Sequence, residues 1–595
     1  MSDTPIFMYH DIGKGDEWAV LPEQFERQVQ LLHYSGYTSI SLNEAAQEMQ
    51  KCFVMTFDDG RMGVFTYAYP FLRRYKMTGT VFVVPSWVGK EGYMTWEQLS
   101  ELKKNGWSIG NHTLNHVNLT TISDVTEIQE AERIITEKIG KPEHFAYPYG
   151  AFNEKVVLFV KKNYATAVTA QRGFDKTPWT YARQWVMRDT SLDLFQKLLK
   201  RPKISLCLIV KNEEKNIAQC ILSIKDIVDE IIIADTGSTD KTMEIARQYT
   251  SNVFEVQWTD FASARNAALK KATGDWVLVL DADEVVDQKN HNHIRAAVND
   301  WTVMGYRIVT RNYTMNTAIT GWRPLFDVDP LGKTPPGWYP SVKIRLFQRL
   351  KGIDFQGKVH EMVDKSVEAF GKAAVLPLVV HHYGTLEDKT AKREMYSQLV
   401  RQKIEDNPND SKAYFELGVQ YKEMGLFPDA EQMIIHSIQL KEESYHQRLN
   451  LAVVQQKLGK FDKAIENYML VLQKNPVNAD AYFGLGYCAF VSKEMEKATE
   501  YFAKTIEHNP YHVEAYINLG ALYEKSGNFE EAERILLKAL EIVPKHARAH
   551  YNLGVVYEKN EDYDKAVEQY REAVQFNYVR KGELLRKIKE MEGIL

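Results

Sequence analysis

Over the first two thirds of the chain, short apolar runs alternate with stretches of helical periodicity. KCFVMTFDDG, GTVFVVP and GWSIG each read as a buried strand, the first over Cys52–Phe57, that stops at polar, loop-like residues. From Lys203 the pattern returns as KISLCLIVKNEE, DEIIIADTGSTDKT and SARNAALKKATGDWVLVLDADE. Strands interleaved with helices predict α/β architecture, in which chemistry collects beyond the carboxyl ends of the strands. Arg201-Pro202 separates the helical SLDLFQKLLK from the strand KISLCLIV, which divides the region into domains at 1–201 and 202–388. HHYGTLEDKTAKREMYSQLV then turns from strand-like to helical, so a helical connection is expected over 389–410.

The last third is helical and periodic. Leu-Gly or Leu-Ala recurs at Leu417-Gly418, Leu451-Ala452, Leu485-Gly486, Leu519-Gly520 and Leu553-Gly554, a period of 34 residues. Ala430, Ala464, Ala498, Ala532 and Ala566 keep the same register, and Pro408, Pro476, Pro510 and Pro544 close units. A small residue lets two helices approach closely, and the proline ends the second of them. The pattern resembles the tetratricopeptide repeat, with five units over 411–579 and a capping helix over 580–595. The resemblance implies an all-α solenoid whose concave face recognises a protein partner or acceptor.

Composition then narrows the setting. A chain of 595 residues exceeds a single hydrophobic core, so three or more domains are expected. With 44% apolar and 26% charged residues, it has an ordinary globular mixture. Lysine and arginine total 74 against 79 aspartates and glutamates, a net of −5, which argues against nucleic acid or anionic membrane as a partner. Cys52, Cys207, Cys220 and Cys488 form no C-x-x-C pair, so buried thiols in a reducing compartment are expected. MSDTPIFMYHD lacks the basic flank and apolar core of a signal peptide, and the apolar runs are strand-length. A soluble cytoplasmic protein without a transmembrane segment is therefore expected.

Candidate chemistry begins with TFDDG and GNHTLNHVNL. Neighbouring strand residues face opposite sides, so Asp58 and Asp59 at a strand's end can divide two duties. His112 and His116, four apart, share a face if they lie on a helical turn; they are either a metal pair or two polar surface residues. Two histidines and one aspartate leave coordination positions open to water, as a catalytic metal requires. TFDDG, HTLNH and AYPYG together resemble the polysaccharide deacetylases over about residues 1–200, with a distorted (β/α) barrel. The resemblance implies that Asp59, His112 and His116 bind Zn²⁺ or another divalent transition metal. It also implies that Asp58 is the base that activates metal-bound water against an N-acetyl carbonyl. The family's closing leucine-x-histidine is absent before residue 200. His10, in MYHDI, has the tyrosine-histidine context of circularly permuted members and is the candidate acid for the leaving amine. Ala146 replaces the arginine often found in the third motif, which leaves open what orients Asp58. Tyr149 can offer its backbone amide to an oxyanion, or AYPYG is a simple proline turn.

In the second domain neither G-x-G-x-x-G nor G-x-x-x-x-G-K-[ST] occurs. Instead, DAD places Asp281 and Asp283 two apart, on one side of a strand, where both can address one Mg²⁺ or Mn²⁺. Residues 203–385 resemble the family-two glycosyltransferases of the GT-A fold. The matching motifs imply that Asp235 reads the nucleotide base and Arg265 lines the same pocket. Asp281 would contact ribose or metal, and Asp283 the metal. Asn212 and Glu213 either hold the nucleoside or cap the next helix. GWYPSVKIRLFQR and FQGKVHEMV resemble a branch related to lipopolysaccharide-core glucosyltransferases and some peptide glycosyltransferases. Family members invert the anomeric centre, and Glu361 is the candidate base that deprotonates the acceptor. His360 is either a metal ligand or a core histidine, and Trp338 and Tyr339 either stack on a sugar or pack.

These readings predict a bifunctional carbohydrate enzyme. One domain would transfer a sugar from a nucleotide-sugar donor, expected to be UDP-linked, to a glycan or protein acceptor. The other would remove an N-acetyl group from an acetamido sugar. One alternative keeps only the transferase active, with the first domain a sugar-binding module. The other is a repeat-based scaffold with inactive enzyme domains.

Overall fold

The structure, a computed structural model, describes residues 4–593 except 48, 123, 176, 318, 320, 327–328, 334, 358–360, 387–389 and 443, with only the backbone at 385, 390–393 and 395. Seven parallel strands close the N-terminal barrel: Ile6–Tyr9, Cys52–Phe57, Thr80–Val83, Ser108–Asn111, His144–Ala146, Thr166–Arg172 and Tyr181–Trp185. Closure comes from Ile6–Tyr9, which pairs with both Cys52–Phe57 and Tyr181–Trp185. The short strand Thr38–Ser39 hangs outside this ring on Cys52–Phe57. Strands covered on both faces need apolar side chains throughout, which is why CFVMTF lacks alternation and is buried along its whole length. Parallel closure brings the carboxyl ends to one rim, and His10, Asp58, Asp59 and His112 follow directly from three of those ends.

A nine-stranded mixed sheet forms the second domain. Val253–Glu255, Glu230–Asp235, Ile204–Val210 and Trp276–Val279 are parallel, and Gly337–Gln348 continues the sheet antiparallel. Gly305–Thr314, Ala373–His382 and Glu284–Val286 complete the order, while Arg323–Pro324 pairs with Gly337–Gln348. The two α/β domains share one apolar core: Phe195 stacks on Phe7 at 4.8 Å, and Leu198, Leu199 and Ile204 are buried in the same cluster. Arg172 of the barrel also pairs with Asp300 of the second domain at 2.7 Å.

Helix Thr390–Asp406 leads into five helix pairs, from Ser411–Glu423 to Tyr563–Gln575, and a final helix at Lys581–Glu592. The periodic glycines mark close helix crossings: a Cβ on Gly520 would stand 2.6 Å from Leu536 Cγ. Among the described residues, two elements of the second domain touch this array. Leu399 and Val400 are buried with Trp258, Phe261, Ala413 and Leu417. Trp322, in the connection 315–336, is 3% exposed and packs among Val513, Ile517, Ala539, Val543 and Ala549. Among the described residues, no helix is long and apolar enough to cross a membrane.

Candidate active sites

In the barrel, the chain breaks out of the strand Cys52–Phe57 through left-handed backbone at Asp59 (φ 70°) and Gly60 (φ 71°). The two carboxylates therefore point to different partners. Asp58 is buried and accepts from Arg183 Nη1 (2.7 Å to Oδ1) and Nη2 (2.8 Å to Oδ2). Arg183, 1% exposed, also donates to the Thr169 carbonyl and to Thr56 Oγ1. Burial alone would raise the Asp58 carboxyl, but the guanidinium overrides it and holds the group well below the ordinary carboxylate range. Sequence reasoning missed Arg183, which lies on the last barrel strand, far from every motif. It answers the question that Ala146 raised: Asp58 is oriented by an arginine from another strand, while the Ala146 carbonyl accepts from His112.

Asp59 Oδ1 is buried, receives no hydrogen bond, and lies 3.8 Å from His112 Nε2 and 3.7 Å from His116 Nε2. Because His112 Nδ1 donates to the Ala146 carbonyl at 2.8 Å, the neutral ring turns its Nε2 lone pair toward Asp59. Burial lowers the pKa of both imidazoles, which favours that neutral form. Ligands around one tetrahedral zinc stand roughly 3.4 Å apart. The three donors, all within 4.8 Å of one another, therefore fit a single divalent ion. The helical turn expected for His112 and His116 is not formed. Asn111 Oδ1 accepts from the Thr113 amide at 2.8 Å and closes a turn at the strand's end. Thr113 (φ 64°) and His116 (φ 58°) then take left-handed backbone, so a loop brings the imidazoles together.

His10 stands near Asp58 and His116, with its ring 4.7 Å from that of Trp18. Its Nδ1 is buried without a partner. Tyr149 is 68% exposed with left-handed backbone (φ 59°), and its ring lies 4.6 Å from that of His116. Trp87 flanks the same imidazole at 5.3 Å, so two aromatic rings border the candidate metal group.

In the second domain, strand Trp276–Val279 ends before Asp281, so the expected same-side strand geometry of Asp281 and Asp283 does not hold. A turn separates them. Arg265, buried, donates from Nη2 to Asp281 Oδ1 (2.5 Å) and from Nε to Glu361 Oε1 (2.7 Å). Against the effect of burial, it holds Asp281 well below the ordinary carboxylate range. Asp283 Oδ2 instead lies 3.3 Å from His382 Nε2. Asn312 donates to the Tyr339 carbonyl and Ser341 Oγ, which leaves its Oδ1 to accept from His382 Nδ1 at 2.7 Å. His382 Nε2 thus faces the Asp283 carboxylate. His382 is a second residue that motif reading missed. The buried pair Glu284–Arg345 braces the turn, with Glu284 accepting from the Asp281 amide.

Asp235 is buried, and its carboxylate accepts from the amides of Gly237 and Ser238 and from Ser238 Oγ. Asn212 Oδ1 accepts from the Thr239 amide and Glu213 from Asn216 Nδ2. The Asn212 contact stitches the first loop to the second, and neither residue caps the helix Ile217–Leu222. Trp338 is packed between Arg311 and Arg323 and against Tyr313 and Tyr383, a core position. His360 lies outside the described residues.

Residues 45–168 match the Polysaccharide deacetylase family, residues 205–348 match Glycosyl transferase family 2, and residues 448–478, 477–545 and 511–577 match the Tetratricopeptide repeat. The TPR repeat-containing protein Synpcc7942_0270 of Synechococcus elongatus is 30% identical over 294 residues, 47% of this chain and 67% of that protein. YxkH of Bacillus subtilis is 30% identical over 181 residues, covering 28% of this chain and 65% of its own length. The uncharacterized glycosyltransferase RT0209 of Rickettsia typhi is 31% identical over 206 residues, covering 33% and 65%. The chain thus spans about two thirds of the length of each of these relatives.

Proposed function

We propose that this chain, which joins a polysaccharide deacetylase domain and a family 2 glycosyl transferase domain to tetratricopeptide repeats, is a bifunctional carbohydrate enzyme. Its barrel removes the acetyl group of an acetamido sugar, and its second domain transfers a sugar from a nucleotide donor to a glycan or protein. The observation that carries the first activity is Asp59 Oδ1, buried without a hydrogen bond beside two imidazoles. Zinc or a similar ion held by Asp59, His112 and His116 supplies a Lewis acid and an acidified water when bound. Asp58 accepts the proton of the attacking water. Its pairing with Arg183 makes it a weak base, adequate only for a water already acidified. His10 hands a proton to the departing amine.

For transfer, Asp283 and His382 hold Mg²⁺ or Mn²⁺, which neutralises the leaving diphosphate when bound. Asn312 aims His382, and Asp281, Asp235, Asn212, Glu213 and Arg265 shape the donor side. Glu361, which accepts from Arg265 Nε, takes the acceptor proton. The repeats present the acceptor or recruit a protein partner. Four buried, unpaired cysteines support a reducing compartment, the cytoplasm in this reading.

Two assays test the pair of activities. Zinc-loaded full-length protein should release acetate from N-acetylglucosamine oligomers, and Asp59→Asn should abolish the release. A screen of labelled nucleotide sugars with Mn²⁺ against lysate should show transfer that disappears in Asp283→Ala. Transfer without acetate release from any oligomer leaves the barrel as a sugar-binding module.

A further inference from the structure

Hydrogen bonds aim Asp58 and His112, but none reaches His10 Nδ1, which is buried. An indole lies against the His10 ring instead. The strand Ile6–Tyr9 runs on into a short parallel pair, Asp11–Ile12 with Ala19–Val20, in which Asp11 is opposite Ala19. One step earlier in that register His10 meets Trp18, and their ring centroids stand 4.7 Å apart. The intervening turn is fixed locally: Asp16 Oδ1 accepts from the Trp18 amide at 2.9 Å, and the Gly13 amide donates to the Val20 carbonyl. Trp18 is backed in turn. Its ring lies 5.5 Å from that of Trp185, on the barrel strand that pairs with Ile6–Tyr9. Trp185 Nε1 donates to the Ala170 carbonyl at 2.7 Å, and the Arg172 guanidinium covers its ring at 4.4 Å. Both partners belong to the neighbouring strand Thr166–Arg172.

We propose that Trp18 is a positioning residue of the deacetylation: its indole, backed by Trp185, holds the His10 ring in the orientation that delivers a proton to the leaving amine. The inference rests on the deacetylase reading given above, in which His10 is that acid. The second side-chain torsion of a histidine is broad, so contacts must confine a ring that no hydrogen bond fixes. Trp18 closes one side of that rotation. A general acid acts only within hydrogen-bond reach of the atom it serves, so a ring free to turn costs rate and not affinity. The metal group follows the strands Cys52–Phe57 and Ser108–Asn111, away from the loop that carries Trp18, and keeps its ligands when the indole is removed. The loss is therefore confined to substrates whose leaving group needs a proton. A nitrophenolate departs without one.

The test compares Trp18→Ala with Trp18→Phe in the zinc-loaded full-length chain, on N-acetylglucosamine oligomers and on 4-nitrophenyl acetate. Trp18→Ala should lose about 10²-fold in kcat on the oligomer, with KM and zinc content unchanged. It should cleave the ester at the wild-type rate. Trp18→Phe restores an aromatic wall and should recover most of the oligomer activity. If Trp18→Ala does not fold, Trp185→Ala, which removes the backing, takes its place with the same expected pattern. A raised KM at unchanged kcat makes the indole a sugar contact, and equal losses on oligomer and ester make it a structural prop. Either result, or full oligomer activity without the indole, overturns the inference while the deacetylase reading stands. Failure of the wild-type chain to release acetate from either substrate overturns the deacetylase reading, and this inference falls with it.

Discussion

The carboxylate pairs Asp58/Asp59 and Asp281/Asp283 follow strands of unrelated sheets, yet each divides its work in the same way. One member is neutralised by a buried arginine, Arg183 or Arg265, and the other faces imidazole, His112 and His116 or His382 alone. What differs is where the supporting groups come from. Every described residue that holds Asp58, Asp59 and the two histidines lies within the barrel. The cluster around Asp281 and Asp283 draws Arg265 from a helix, and Glu361 and His382 from beyond the family match. The barrel site is self-contained, whereas the transferase site is a composite.

The largest effect should follow from breaking the arginine half of the barrel pair. Arg183→Met leaves Asp58 buried without its cation, which costs about 3–5 kcal/mol of stability. Acetate release should fall by about 10²–10⁴, because the base is no longer held ionised and aimed. Zinc binding, measured by titration, should survive, since neither imidazole touches Arg183. The acid limb carries a further sign. Arg183 depresses the folded-state pKa of Asp58, so the stability it confers is present above the unfolded carboxylate value and is lost as pH falls below it. Denaturant melts of wild type should therefore weaken below about pH 4, and those of the variant should weaken less. A variant that keeps full activity would show that Asp58 needs no cation.

A smaller loss is expected from His382→Gln. Removing one of two neutral-or-anionic donors should weaken Mn²⁺ about 10- to 100-fold, read from free Mn²⁺ by electron paramagnetic resonance. The zinc stoichiometry of the barrel should not change. Unaltered Mn²⁺ affinity would mean that His382 meets Asp283 only as an imidazolium, and the parallel between the two pairs would end there.

The same contrast explains what could be read from the chain. Asp59, His112 and His116 sit in short motifs, and the 34-residue period of Leu-Gly positions announces the helical array. Arg183 carries no such mark. It reaches Asp58 because barrel closure places strand Tyr181–Trp185 beside Ile6–Tyr9, and no spacing rule encodes a contact across that distance. His382 is similar: it belongs to the late strand Ala373–His382, which pairs with Glu284–Val286 and so meets Asp283 across the ladder. Local geometry was also misjudged where a side chain captured the backbone. The Asn111 turn outcompeted the helical turn that the His-x₃-His spacing suggested.

The smallest effect probes whether the composite site extends to the repeats. Trp322 docks the connection 315–336 between helices of the array, and the flanking strands Gly305–Thr314 and Gly337–Gln348 hold Asn312, the residue that aims His382. Full burial of a tryptophan is worth about 3–5 kcal/mol when truncated to alanine. Here that energy supports docking of one connection, so Trp322→Ala should loosen the contact without unfolding either partner. Faster proteolysis within 315–336 is expected, together with a few-fold rise in the transferase KM and unchanged acetate release. Trp322 Nε1 is buried without a partner, so the indole N–H opposes docking and the apolar ring favours it. Trp322→Phe should therefore dock nearly as well as wild type, whereas Trp322→Gln should behave like alanine. Equal protease resistance of the alanine variant and wild type would show that the connection is held by other contacts.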